Sequence, residues 1–142
     1  MATQELVSSL RSVISAMHKS LRRQMSSVNT YSMTEIETIG HLARAGSLLP
    51  TELATLTRVK TQSMSQILKE MESNHIIKRT PSREDKRKVF ITLTAAGKSL
   101  VEKAKYDKDE WLKTTIEKTL TEKEKEVLAK AIPVLNKIIG SK

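Results

Sequence analysis

The chain has 142 residues, 38% apolar and 29% charged, with no cysteine; that suits one domain with a genuine core and excludes disulfide staples, thiol redox switching and cysteine-ligated zinc. Lys and Arg outnumber Asp and Glu 25 to 16, a net charge of +9, which favours an anionic partner without separating DNA from RNA or an anionic membrane. No apolar run approaches the roughly 18–20 residues of a membrane span, and no basic start with an apolar core marks a secretory signal, so a cytoplasmic protein is expected, with no membrane as partner.

The first helix is expected from about Thr3 to Met25, where Leu6, Leu10, Val13, Ile14, Met17, Leu21 and Met25 recur at three- and four-residue steps. Ser26 to Thr30 reads as a loop. Thr34 with Glu37 has the spacing of a capping box opening a second helix through Ile36, Ile39 and Leu42, which Gly46 is placed to end. Pro50 starts a short third helix, since its missing N–H costs nothing in a first turn. A fourth runs from near Thr61 to about Ser73, with Met64, Ile67, Leu68 and Met71 inward. Asn74 is read as the left-handed residue that stops it.

Ile76 and Ile77 then lead into a β-hairpin, and Val89 to Leu93 lead out, all β-favouring types. Thr80-Pro81-Ser82 breaks regular structure between them. A long charged helix follows from Thr94 to about Lys118, with Gly97 as a weak point. A last helix is opened by a Thr121/Glu124 capping box and interrupted by Pro133, which removes one backbone donor. The fold class is mainly α with a small β-hairpin wing.

The third and fourth helices form a helix-turn-helix. The leading face of the fourth carries Thr61, Gln62, Ser63, Ser65 and Gln66, small or amide side chains without negative charge, so it can enter a major groove. Gln pairs bidentately with adenine, Ser meets several base edges, and Lys69 reaches phosphate. At the hairpin tip, Arg83, Lys86, Arg87 and Lys88 are too many cations to bury. Three of them, Arg83, Lys86 and Lys88, suit phosphate contacts that fix register without reading sequence. Asp85 repels phosphate, but two residues before Arg87 it can hold that guanidinium in one direction; a structural role is expected for Asp85, with Arg87 entering the minor groove or meeting the backbone. Phe90, Tyr31, Tyr106 and Trp111 are too few aromatics for the stacking platforms of single-strand and RNA readers, so double-stranded DNA fits better. The bland alternatives are a solvated polar helix and a charged edge that deters strand pairing.

Asp85-x-Arg87, followed after five residues by Leu93-Thr94, resembles the wing of the MarR-type winged-helix regulators. Glu52-Leu53-Ala54 and Met71 to Arg79 are similar to that family's helix pair and its exit into the wing. One departure is His75, where the family commonly has glycine; Asn74 is expected to take over the helix stop. The resemblance covers essentially the whole chain and implies a single domain over 1–142: a helical dimerisation region at 1–30 and 95–142, and a winged helix-turn-helix at 31–94. It implies a homodimer with intertwined terminal helices, consistent with more apolar surface on those helices than one small domain can cover. The operator would be pseudo-palindromic, with half-sites about one turn, roughly 10 bp, apart.

The resemblance further implies a repressor relieved by a small-molecule effector in a cleft lined by Met17, Leu21, Met25, Ile36 and Ile39; against this stands the plainer reading of a Met/Leu core. His18, His41 and His75 are isolated, so no metal or other cofactor is expected. No phosphate-binding glycine loop or nucleophile motif occurs, so the chain is not expected to be an enzyme. The alternative function is a basic winged-helix module that docks an acidic protein, or coats DNA without sequence preference.

Overall fold

The computed structural model describes residues 1–25 and 30–140. In chain order these form α1 (Thr3–Arg23), α2 (Met33–Ala45), β1 (Ser47–Leu48), α3 (Pro50–Thr57), α4 (Thr61–Ser73), β2 (Ile77–Pro81), β3 (Val89–Leu93), α5 (Ala95–Thr119) and α6 (Glu122–Gly140). The chain divides into two compact units, one of Met25–Tyr106 and one of Met1–Gln24 with Asp107–Lys142, the division falling within α5. The loop expected at 26–30 lies, apart from Thr30, outside the described residues.

The Met25–Tyr106 unit is a winged helix. Its core is Leu42 from α2, Leu53 from α3, Met64, Leu68 and Met71 from α4, and Ile77 and Ile91 from the sheet, all essentially inaccessible to solvent. Each such side chain contributes about 1.5–3 kcal/mol on burial. Two threonines share this interior without cost to hydrogen bonding, because each hydroxyl donates to the carbonyl four residues back: Thr38 to Thr34 and Thr57 to Leu53, both at 2.7 Å.

The sheet has three antiparallel strands in the order β1-β3-β2. The two-residue β1, pairing Ser47 with Thr92 and Leu48 with Ile91, was not anticipated from the sequence, being too short to show periodicity. The hairpin pairs Ile77 with Leu93 and continues to Pro81 with Val89. Regular pairing therefore persists through Thr80 and Pro81, two residues into the stretch expected to break it. An edge strand tolerates proline because its outward N–H has no partner to lose.

Helix ends account for two further corrections. The capping box of α2 is Ser32 with Glu35, not Thr34 with Glu37: Ser32 Oγ accepts from the Glu35 N–H at 3.1 Å and Glu35 Oε1 from the Ser32 N–H at 3.0 Å. The residue in the left-handed conformation after α4 is His75 (φ 62°), while Asn74 stays near φ −85°. The His75 N–H bonds Glu72 O and the Ile76 N–H bonds Met71 O, both at 3.0 Å, closing the helix in a Schellman motif. Arg58 (φ 57°) does the same for α3, with its N–H on Thr55 O and the Val59 N–H on Ala54 O. At α3's start, Glu52 accepts from the Leu49 N–H at 2.9 Å, and Pro50 occupies the first turn. Gly46 (φ 84°) ends α2 as expected, bonding Leu42 O.

Gly97 is not a weak point but a close approach. A Cβ there would lie 2.3 Å from the Ile76 carbonyl oxygen. Thr94 fixes the same junction: its N–H donates to Ile76 O at 3.0 Å, and its hydroxyl accepts from the Gly97 N–H at 3.1 Å, capping α5.

In the other unit, α1 and α6 contain no buried residue. Leu6, Val13, Ile14 and Met17 on α1, and Val127, Ile132, Val134 and Ile138 on α6, are all exposed. The Thr121/Glu124 capping box is present, at 2.9 and 3.2 Å. Pro133 lies within α6, which continues to Gly140.

Candidate nucleic-acid interface

Helix α4 is anchored by Met64, Leu68 and Met71, which are inaccessible to solvent. That fixes its rotation and turns Thr61, Gln62, Ser63, Ser65, Gln66 and Lys69 outward, all exposed. Its first turn has neither a side-chain cap nor an acidic residue, so its free N–H groups present partial positive charge where an anion would sit.

The wing tip is an ordered loop. The Ser82 N–H donates to Lys88 O and the Lys88 N–H to Asp85 O, each at 2.9 Å. The Ser82 hydroxyl accepts from the N–H groups of Glu84 and Asp85 at 3.2 and 3.3 Å. Asp85 then faces Arg87: Oδ1 accepts from the Arg87 N–H at 3.0 Å and from Nε at 3.2 Å, and Oδ2 from Nη2 at 3.4 Å. The Arg87 side chain is 92% exposed and that of Asp85 33%. Hydrogen bonds from the Arg87 guanidinium, then from its N–H, hold the Asp85 carboxyl below the usual carboxylate range, with the Lys88 charge assisting. Asp85 thus stays ionised and steers a solvated guanidinium. Arg83, Lys86 and Lys88 are exposed around it.

Two residues that the sequence reading passed over join this face. Arg79 Nε bonds Glu72 Oε1 at 3.3 Å. Both line a shallow groove of about 390 Å³ with Gln62, Ser65, Gln66 and Lys69. The available signal was strand alternation: Arg79 shares the face of Ile77, which points at the core and α4.

The five residues expected to line an effector cleft divide between the two units. Met17 and Leu21 lie on α1; Met25, Ile36 and Ile39 belong to the winged-helix unit. Met25 is buried with Ala104, and Ile36 packs against them; Ile39 belongs to the main core. Among the described residues, no His, Asp and Glu group has metal-ligand geometry, and no helix is long and apolar enough to cross a membrane.

Residues 31–88 match a family model described as MarR family. The HTH-type transcriptional regulator Mb0904 of Mycobacterium bovis is 27% identical over 104 residues, 73% of this chain and 72% of that protein. Among solved structures, the transcriptional regulator Tm0710 of Thermotoga maritima superposes with a TM-score of 0.84 at 18% identity, covering 99% of this chain and 100% of that one. A mutant of S. aureus MepR, solved bound to an oligodeoxyribonucleotide, gives a TM-score of 0.69 at 20% identity, covering 98% and 99%.

Proposed function

We propose that the chain, whose residues 31–88 match the MarR family model, is a homodimeric, sequence-specific, double-stranded DNA-binding transcriptional regulator of that family acting in the cytoplasm. The observation that carries this reading is the pairing of two differently built cationic and polar surfaces. One is the rigidly anchored α4, with Gln62, Ser65 and Gln66 outward. The other is a wing whose Arg87 is held out by Asp85. On this reading α4 meets base edges while the wing meets backbone or minor groove. MepR, a relative in fold, was solved on an oligodeoxyribonucleotide.

Dimerisation is supported by the exposed apolar residues of α1 and α6, which a second copy would cover reciprocally. The proposed regulator is a repressor that occludes its promoter. On this reading a small-molecule effector relieves the repression.

Two classes of variant test the readout. Arg87→Ala is expected to weaken binding on all duplexes alike and to reduce the salt dependence by about one counterion. Gln62→Ala and Gln66→Ala are expected to cost about 1–3 kcal/mol at particular base pairs and little on random DNA. If both classes lose equally on specific and random duplexes, α4 does not read sequence.

A further inference from the structure

Resting on the DNA-binding reading above, we propose that the two carboxylates of α4, Glu70 and Glu72, set its sequence discrimination by orienting Gln66 and Arg79. Both carboxylates are exposed. Glu72 and Arg79 line the groove shared with Gln62, Ser65, Gln66 and Lys69, and Glu70 lines the next hollow along α4, again with Gln66 and Lys69. An anion on such a surface repels every duplex alike, and an exposed ion pair adds little to folding stability. What accounts for their place is the side chain that each one holds.

Glu72 accepts from Arg79 Nε at 3.3 Å, with side-chain exposures of 44% and 35%. Among the described residues only that N–H of the guanidinium is used, so both Nη groups stay free to donate. With α4 in a major groove and the wing in the neighbouring minor groove, one DNA strand has to cross the hollow between them, where Arg79 lies. A guanidinium held at a fixed angle grips a phosphate of that strand through two parallel hydrogen bonds. It thereby fixes the register in which α4 meets base edges. Freed from Glu72, the same cation would bind phosphates in many registers.

Gln66 Nε2 donates to Glu70 Oε1 at 3.5 Å. An ionised carboxylate can only accept, so it selects the amide orientation that turns the amino end of Gln66 toward Glu70 and leaves Oε1 as the free end. A glutamine so held presents an acceptor, which suits the exocyclic amino group of adenine or cytosine. The Glu70 charge beside it penalises the keto oxygens of guanine and thymine. Gln62 has no side-chain partner among the described residues, so either end of its amide can turn to a base. The two glutamines therefore read by different rules.

The test is parallel selection of bound duplexes from one random pool at about 150 mM salt, using the full parent chain, Glu72→Ala, Glu72→Gln and Glu70→Ala. Fluorescence anisotropy then compares the parent's enriched duplex with a shuffled duplex of the same composition. Either alanine variant is expected to bind the shuffled duplex about two- to fivefold more tightly, one repulsive charge being gone. In the ratio of enriched to shuffled affinity, Glu72→Ala should lose about tenfold, as one oriented charge-assisted contact is lost. Glu72→Gln should lose only about threefold, because its amide oxygen still accepts from Arg79 Nε. Charge removal alone would make those two variants equal. Glu70→Ala should relax one half-site position from an amino base to any base, while its neighbours keep their preference. Equal ratios for the two Glu72 variants overturn the assignment of Glu72, and an unrelaxed motif for Glu70→Ala overturns that of Glu70. A parent that enriches no sequence overturns the DNA-binding reading and this proposal with it. A parent motif that every variant reproduces with an undiminished ratio overturns this proposal alone.

Discussion

Replacing Gly97 by alanine sets two physical effects against each other, and the structure decides the sign. In an unconstrained helix interior the change stabilises by about 0.5–1 kcal/mol, because glycine loses more backbone entropy on folding. Here the added Cβ would stand 2.3 Å from Ile76 O and 3.1 Å from Leu93 Cδ2. Ordinary C···O approach is about 3.3 Å, so the first contact is roughly 1 Å too short.

The carbonyl has little freedom to retreat: Ile76's own N–H is tied to Met71 O, and its oxygen accepts from the Thr94 N–H. Relief has to come from displacing α5 or the Schellman turn, both packed on the core. Overpacking of this kind costs about 1–3 kcal/mol, more where backbone must move. Net destabilisation of about 2 kcal/mol is expected, read as a lower urea midpoint with unchanged slope. A Gly97→Ala variant more stable than the parent would refute the argument that this glycine is a packing requirement.

Other consequences follow from the same geometry. His75→Gly should raise stability by up to about 1 kcal/mol by relieving a left-handed side-chain residue, and His75→Val should lower it, as compared by urea midpoints. Asp85 has a depressed carboxyl pKa in the folded chain, so its stabilisation of the tip is full above the ordinary aspartate range. That stabilisation is lost as pH falls below about 3.9 and through the folded value. The Arg87 Nε–H resonance should move over that acid range and stay put in Asp85→Asn. Ile14→Glu and Ile138→Glu, at exposed apolar positions of α1 and α6, should shift sedimentation toward a single chain; unchanged sedimentation would remove those faces from the dimer interface.

The sequence was most legible where apolar periodicity and burial agree. The limits of α4 and its inward Met64, Leu68 and Met71 follow from three- and four-residue steps, and the structure shows those bounds and that burial. It was least legible at junctions. Ser32 and Thr34 offer alternative caps with identical spacing to Glu35 and Glu37, and spacing alone does not choose between them.

Composition favoured Asn74 over His75 for the left-handed position, but the choice depends on where Ile76 must be buried. Gly97 looked like a propensity defect because the Ile76 carbonyl that requires it is distant in sequence. At the interface, the Asp85–Arg87 pair was readable because it is local; Glu72–Arg79 was not, because it bridges a helix and a strand across a turn.

The central claim, that a dimer reads a DNA sequence through α4 and the wing, is tested most directly by selecting bound duplexes from a random pool at about 150 mM salt, where weak surface contacts are screened. The account predicts enrichment of an inverted repeat with half-site centres about one helical turn apart. Retention without any enriched sequence, fading as salt rises, would contradict it and leave a basic module that binds DNA by charge alone.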